Sequence, residues 1–422
     1  MSRRTSTPSA AQIRWMNAAA VYEAMRARES STARDLMSLT GLSRPTVHTT
    51  CDWLIAQGLV VEVDSDPVQD AQPGRPARRY RTNPRAGFVV ALDIREGRVT
   101  AAVADLTGGV CGELSREIAA DPTLRSQVTV HGPAIAHDVV ALAGIDPTAV
   151  WQACVSIPAP VQSRAYAPST AAQYRAGTRD VIAELDETLP WPVVAENDAN
   201  LAMIGEQWQG AARDHDNVVL LDVCENGFGA GLIVNGRLVR GSSGLAGEMT
   251  SVGLLSEMGP VGGVTSKAAQ LGAEAVRDAG TGPAGSLAGL AGGDPGRVTA
   301  GMVFAALEAG DPAAERVAGQ VGAIVARPIA MLATLLDPEL VVVCGLPADI
   351  ADPLMARIED QTLELYRRLA APPPRLALSA LGGRATVLGG IRRALNEVEG
   401  RLFGSPHSDR WPAAALRTAD AR

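Results

Sequence analysis

Ser43, Arg44, Thr46, His48 and Thr49 open an amphipathic segment whose apolar residues Val47, Cys51, Leu54 and Ile55 fall on the opposite face. A guanidinium can grip guanine O6 and N7 through two parallel hydrogen bonds, and hydroxyls can bind phosphate oxygens, so such a helix is equipped to read a DNA groove. A second cluster, Pro73-Gly74-Arg75-Pro76-Ala77-Arg78-Arg79, places an arginine between glycine and proline. A narrow extended segment of this kind fits a minor groove, where negative potential is focused. Arg75, Arg78 and Arg79 are therefore candidate DNA contacts. A module of this type can also serve protein contacts, but the basic loop favours nucleic acid. Farther on, adjacent Asn197 and Asp198 join an amide to a carboxylate able to act as general base or hydroxyl acceptor. Alone, that pair reads more simply as the N-cap of a helix that follows a strand.

The elements that must hold the first cluster are legible from periodicity. Residues 12–28 carry Ile13, Met16, Ala20, Val21, Ala24 and Met25 on one helical face. Ser31 or Thr32 caps a second helix running to about Leu39, and Gly41 breaks the chain. Ser43 caps a third helix over residues 44–57, with Pro45 tolerated in its first turn. The turn Thr40-Gly41-Leu42-Ser43 has helix-turn-helix spacing. Strands over 59–63 and 79–82 flank a polar loop, 64–78, and complete a winged form of the motif.

After a short linker at 83–87 the texture changes to three strands (88–94, 98–105 and 110–118) in a meander. A helix over 131–142, a buried strand over 149–157, and the run Val193 to Asp198 leading into a helix over 199–208 complete a first α/β lobe. A second lobe opens with strands 217–223 and 229–235. It continues with helices 268–279, 298–307 and 313–336 and strand 340–344, and its residues 280–296 read as a mobile, glycine-rich loop. The tail after Phe403 is expected to be disordered.

Charge separates these parts. The 422 residues carry a net charge of −8, yet residues 1–87 hold twelve arginines against eight carboxylates, a head of +4 on a body of −12. With 37 arginines against the single Lys267, the arginine count reflects composition bias and is weak evidence by itself. No run approaches the roughly 18 uninterrupted apolar residues of a membrane span, and the polar start lacks a signal-peptide centre, so a cytoplasmic protein is expected. The five cysteines lie at least 40 residues apart, without a CxxC pair, and read as small buried hydrophobes.

Over nearly its whole length the chain resembles the ROK family (repressors, open reading frames, kinases). The resemblance rests on an asparagine in the first helix (Asn17), TGLSRPTV at Thr40 to Val47, GLV at Gly58 to Val60, and GRPARRY with NP at Gly74 to Pro84. It continues through ALDI at 91–94, ENDAN at 196–200, GAGLIVNGRLVRG at 229–241, GLAGEM at 244–249 and LLDPELVVVCG at 335–345. It implies an α/β fold: an N-terminal winged helix-turn-helix (1–87), then a two-lobed, ribonuclease-H-like sugar-kinase domain. The lobes are expected at 88–205 and 206–403, the second including a returning C-terminal segment.

The family's kinases hold ATP phosphates on an Asp-x-Gly-Gly-Thr hairpin, whereas here Asp93-Ile94 precedes Arg95-Glu96-Gly97. Their second loop, Gly-Thr-Gly-x-Gly, is replaced by Glu225-Asn226-Gly227-Phe228-Gly229. Both changes argue against ATP turnover, so no enzyme activity and no cofactor are expected. The sugar side is kept: the resemblance makes Asn197 and Glu248 hydroxyl-binding residues and Asp198 the family's base position. Ser251 stands where the family has a histidine that touches sugar and zinc, and the cysteine-rich loop is replaced by Ser256-Glu257-Met258-Gly259-Pro260-Val261-Gly262-Gly263. Serine is not an ordinary zinc ligand, so no metal is expected.

The resemblance thus implies a transcriptional repressor, at least a homodimer (or a homotetramer), on a double-stranded operator. Asn197, Asp198, Glu248 and Ser251 would contact a sugar or sugar-derived effector. A sugar kinase with an accessory DNA-binding domain, or a regulator with a vestigial pocket governed by a protein partner, remain alternatives.

Overall fold

Most elements of the head grow from local signals. The computed structural model describes residues 9–26, 28–63, 78–95, 97–118, 127–159, 161, 178–224, 227–249, 263–367 and 372–403. Arg75, Glu96, Glu225, Ser251, residues 256–262 and the tail after Phe403, on which several expectations rest, lie outside them. Helix α1 (Ala10–Arg26) buries Ala18, Val21, Tyr22 and Met25. Helix α2 (Ala33–Thr40) starts on a capping box: Asp35 N donates to Thr32 Oγ1 at 3.2 Å, and Thr32 N donates to Asp35 Oδ2 at 2.8 Å. Gly41 ends it at φ 70°, in the left-handed region that favours glycine. Helix α3 (Arg44–Ala56) has Ser43 as its N-cap and proline in its first turn, and buries Val47, Thr50, Cys51 and Leu54.

Strands β1 (Ser31–Thr32), β2 (Val60–Val63) and β3 (Arg79–Thr82) form an antiparallel sheet in the order β1-β3-β2. Of the two candidate caps, Thr32 takes the role because Ser31 pairs with Tyr80 and is buried. Ile55, assigned to the inner face, is only half-buried.

Strands β4 (Phe88–Arg95), β5 (Arg98–Asp105) and β6 (Val110–Glu117) form the expected meander, and β7 (Val150–Ile157) pairs parallel to β4. With β8 (Val193–Asn197) they make a five-stranded sheet in the order β6-β5-β4-β7-β8. Helix α4 (Gly132–Leu142) packs on this sheet, and α5 (Thr178–Thr188) precedes β8. Helix α6 (Asp198–Gln209) follows β8 without a break.

A second sheet has the order β11-β10-β9-β12-β13: β9 (Val218–Cys224), β10 (Gly227–Val234), β11 (Arg237–Leu238), β12 (Leu340–Cys344) and β13 (Leu376–Leu378). Helices α7 (Val264–Ala279), α8 (Leu287–Leu290), α9 (Ala300–Glu308), α10 (Pro312–Leu336) and α11 (Ala348–Tyr366) accompany it, and α12 (Ala385–Phe403) ends the described chain. Residues 280–296 are not a bare loop. Ser286 caps α8, and Leu287, Ala288 and Ala291 enter the core, so burial overrides the glycine-rich composition. Helix α10 is long and apolar enough to cross a membrane by length and composition, but Val317, Val321, Val325 and Ile329 place its apolar face in the core.

The chain divides into two compact units. One comprises Met1–Val155, Arg179–Val194 and Ile391–Arg422, and the other Ser156–Thr178 and Ala195–Gly390.

Candidate functional site

At the start of α3, Ser43 Oγ lies 2.8 Å from Thr46 Oγ1, so the two hydroxyls share one hydrogen bond at the end that would meet a ligand. Arg44 and Thr49 are exposed, while Thr46 and His48 are half-buried. His48 Nδ1 sits 3.1 Å from the hydroxyl of Tyr80, which ties α3 to β3. Burial pushes the Tyr80 phenol up from 10 to about 12.

Arg78 and Arg79, both expected on the wing, are held within the head. Arg78 Nη2 donates to Glu62 Oε2 at 2.7 Å and to Asp52 Oδ1 at 3.1 Å, and its guanidinium lies over the Tyr80 ring, 5.3 Å from the centroid. The hydrogen bond from Arg78 holds the exposed Glu62 carboxyl below its ordinary range. Arg79 Nη1 donates to Ser30 Oγ at 3.3 Å. The charges at positions 78 and 79 thus brace the start of β3 against α3, β2 and the residue before β1. Sequence periodicity carries no sign of this, because Glu62, Asp52 and Ser30 come beside these arginines only when β3 packs against β2, α3 and β1.

The second candidate site centres on the start of α6. Asn197 is its N-cap: Oδ1 accepts from Asn200 N at 3.1 Å, and Nδ2 donates to Glu248 Oε1 at 3.1 Å. One side chain thus serves two partners: its oxygen caps the helix and its amide reaches Glu248. Asp198, half-buried, accepts at Oδ1 from Ala199 N at 2.9 Å. Glu248 is brought in by Gly247, whose φ is +87°; a Cβ there would stand 1.8 Å from the carbonyl oxygen of Ala230. Sequence reasoning missed two residues behind this site. Buried Glu196 accepts from Asn197 N at 3.2 Å and Asn200 Nδ2 at 3.0 Å, and its Oε2 takes Arg240 Nε at 2.7 Å. The adjacency of Glu196 to Asn197 was the one available signal.

On the first hairpin, Asp93 is buried and its Oδ2 accepts from Arg95 Nε at 3.0 Å. A guanidinium neutralises the carboxylate beside the turn. Among the described residues no three His, Cys, Asp or Glu side chains group as metal ligands.

The sequence pattern of the ROK family matches residues 113–396. The chain belongs to the ROK family. Its relatives in the family divide between kinases and regulators. The glucokinase of Halalkalibacterium halodurans is 31% identical over 227 residues, covering 51% of this chain and 68% of that protein. The xylose repressor of Bacillus subtilis is 26% identical over 218 residues, and this ROK chain spans only about half (54%) of its length. In fold, the chain is similar to the crystal structure of a ROK family transcriptional regulator homologous to E. coli MLC. The TM-score is 0.67 at 22% identity, covering 93% of this chain and 98% of the other. Residues 88–422 alone cannot supply that coverage, so the fold likeness extends into the head. The mixed α/β class, with a helical head before an actin-like or ribonuclease-H-like body, is thereby established.

Proposed function

We propose that this ROK chain is a DNA-binding transcriptional repressor whose kinase-like body senses a sugar or sugar derivative and does not phosphorylate it. The observation that carries the reading is the Asp93–Arg95 pair: the hairpin carboxylate is bound by a guanidinium where the family's kinases place a glycine. The head supports it from the other side. Ser43, Arg44, Thr46, His48 and Thr49 are the α3 contacts, with Arg44 and Thr49 already exposed. Arg75, Arg78 and Arg79 belong to the wing. Residues 1–87 form the reader, 88–205 and 206–403 the sensing lobes. Asn197, Asp198, Glu248 and Ser251 contact the effector without metal or cofactor. A homodimer or homotetramer in the cytoplasm would present paired heads to operator half-sites about 34 Å apart. An effector changes DNA affinity only through its different affinity for two conformations.

Genomic footprinting with the full chain tests this. Discrete sites with paired half-sites, weakened by Arg44→Ala, are the expected result; absence of enrichment refutes the reading. A second reading, a sugar kinase with an accessory head, is favoured by the 31% identity to a glucokinase and by Asp198. ADP release on a panel of hexoses and amino sugars, abolished by Asp198→Asn, would establish it instead.

A further inference from the structure

At the start of α6 a buried charge orders two asparagines. Glu196 Oε1 accepts from Asn197 N at 3.2 Å and from Asn200 Nδ2 at 3.0 Å, and Asn200 N in turn donates to Asn197 Oδ1 at 3.1 Å. Asn200 Oδ1 is buried and has no hydrogen-bond partner among the described residues. An unpaired buried acceptor costs free energy, yet turning this amide over would aim its oxygen at the Glu196 carboxylate. The carboxylate therefore sets the orientation. Its counter-charge is Arg240, whose Nε and Nη2 both reach Glu196 Oε2, at 2.7 and 2.6 Å. The glutamate side chain is 4% exposed and the arginine side chain 41%. A buried ion pair is seldom better for stability than an apolar pair of similar volume, so stability alone does not account for it. Its use shows in the division of the two oxygens: Oε2 takes the guanidinium, and Oε1 is left to the asparagines.

Arg240 also opens the loop that delivers Glu248. Ala246 N donates to Arg240 O at 3.3 Å, which closes the loop, and Gly247 O accepts from Ala230 N at 3.0 Å, which seats its return on β10. Glu248 Oε1 then takes Asn197 Nδ2 at 3.1 Å. A ring results, running from Glu196 to Arg240, along the loop to Glu248, and through Asn197 back to Glu196. Within it the Asn197 amide has one pose, its oxygen on Asn200 N and its nitrogen on Glu248. A binding group held in this way has already given up its rotamer freedom before any ligand arrives.

We propose that Arg240 is a positioning residue for the Asn197–Glu248 pair: through Glu196 it sets the Asn197 amide, and through its own loop it sets Glu248. That the pair binds an effector rests on the function proposed above; the ordering of the asparagines does not. Nitrogen–proton NMR of the Asn197 and Asn200 side-chain amides in the full chain reads the ordering, and titration with D-glucose, D-galactose and D-glucosamine reads the binding. Arg240→Gln is expected to shift both amide signals and to weaken whichever probe binds by about tenfold, the scale on which outer partners that orient a ligating group act in metal sites. Arg240→Lys keeps the charge but not the two-branched fork, and should fall between. Glu196→Gln leaves no buried charge behind, so it tests the ring in a variant with less reason to misfold. It should shift both signals, and Arg240→Gln added to it should shift them little further. Ser379→Ala is the control, because its hydroxyl bonds Glu206 at the other end of α6, outside the ring. Asn197 signals that stay in place in both Arg240→Gln and Glu196→Gln overturn the proposal. Signals that move equally in Ser379→Ala, or a probe affinity that does not follow them, overturn it as well. If the signals respond as expected and no probe binds the wild type, the ordering by Arg240 stands and the sugar-sensing reading loses its support.

Discussion

Arg95 Nε lies 3.0 Å from Oδ2 of Asp93, whose side chain is 4% exposed against 28% for the arginine. The pair is asymmetric, and the asymmetry has a measurable consequence. Removing the arginine strands a buried charge, whereas removing the carboxylate charge leaves a guanidinium that water can reach. Arg95→Gln should therefore cost about 2–3 kcal/mol in urea unfolding, below the ~3–5 kcal/mol of a fully buried pair, and Asp93→Asn distinctly less. Equal costs would mean that the pair is effectively solvated.

In the head, exposed Arg44 and braced Arg78 should behave differently. If Arg44 reads a base, Arg44→Ala relaxes discrimination at one operator position by about 1–3 kcal/mol. Arg78 is neutralised by Glu62 and Asp52, so Arg78→Gln should leave the slope of log affinity against log salt unchanged. Glu62→Gln frees the guanidinium and should steepen that slope by up to about one unit. Affinity titrations at several salt concentrations check all three, and a slope that falls by a full unit in Arg78→Gln would place Arg78 on a phosphate.

Much of this arrangement is legible in the sequence, for physical reasons. Gly41, Ser43 and Pro45 act within one turn of their own positions, so α3 starts where the sequence puts it. The β4–β5 hairpin pairs Phe88 with Asp105 through an unbroken register, as two strands joined by a tight turn must. Interactions between distant residues were not visible. Ser31 looked like a cap until Tyr80 paired with it, Arg78 looked free until β2 brought Glu62 alongside, and Arg240 gave no hint of reaching Glu196. Helices α11 and α12 are not among the elements expected from the sequence, although α12 supplies Glu399 to a partner 373 residues away. At the start of α6, Asn197 is legible through its motif, while the Glu196 network behind it needs the fold.

The α2 capping box predicts an acid limb. Hydrogen bonds from the backbone and hydroxyl of Thr32 hold the Asp35 carboxyl below its ordinary value of 3.8. A carboxyl depressed in the folded state contributes stability that is present above the unfolded value and lost as pH falls through the folded one. The stability difference between wild type and Asp35→Asn should therefore be full at pH 7 and shrink below about pH 4, which is the unfolded range. Thr32→Ala should cost about 1 kcal/mol at pH 7 through loss of the cap. Urea unfolding at several pH values provides both readings, and a pH-independent gap would show that the box contributes through shape alone.

Gly247 offers the sharpest test of how the cluster at the start of α6 is built. Its φ of +87° alone would penalise alanine by about 1–2 kcal/mol, as at any left-handed position. Here the added methyl also meets the Ala230 carbonyl oxygen at 1.8 Å, and that residue's N donates to Gly247 O at 3.0 Å. The chain must move, and Glu248, next in sequence, moves with it away from the Asn197 amide. Gly41 is the control: its φ is +70°, yet nothing lies within 4 Å of its Cβ position. Gly247→Ala should then destabilise by roughly 3 kcal/mol or more, in the exceptional range for one substitution, while Gly41→Ala costs only the conformational 1–2. Thermal unfolding separates the two. Asn197→Ala placed on the Gly247→Ala background should add less than it does in wild type, because the amide has already lost Glu248 as its partner.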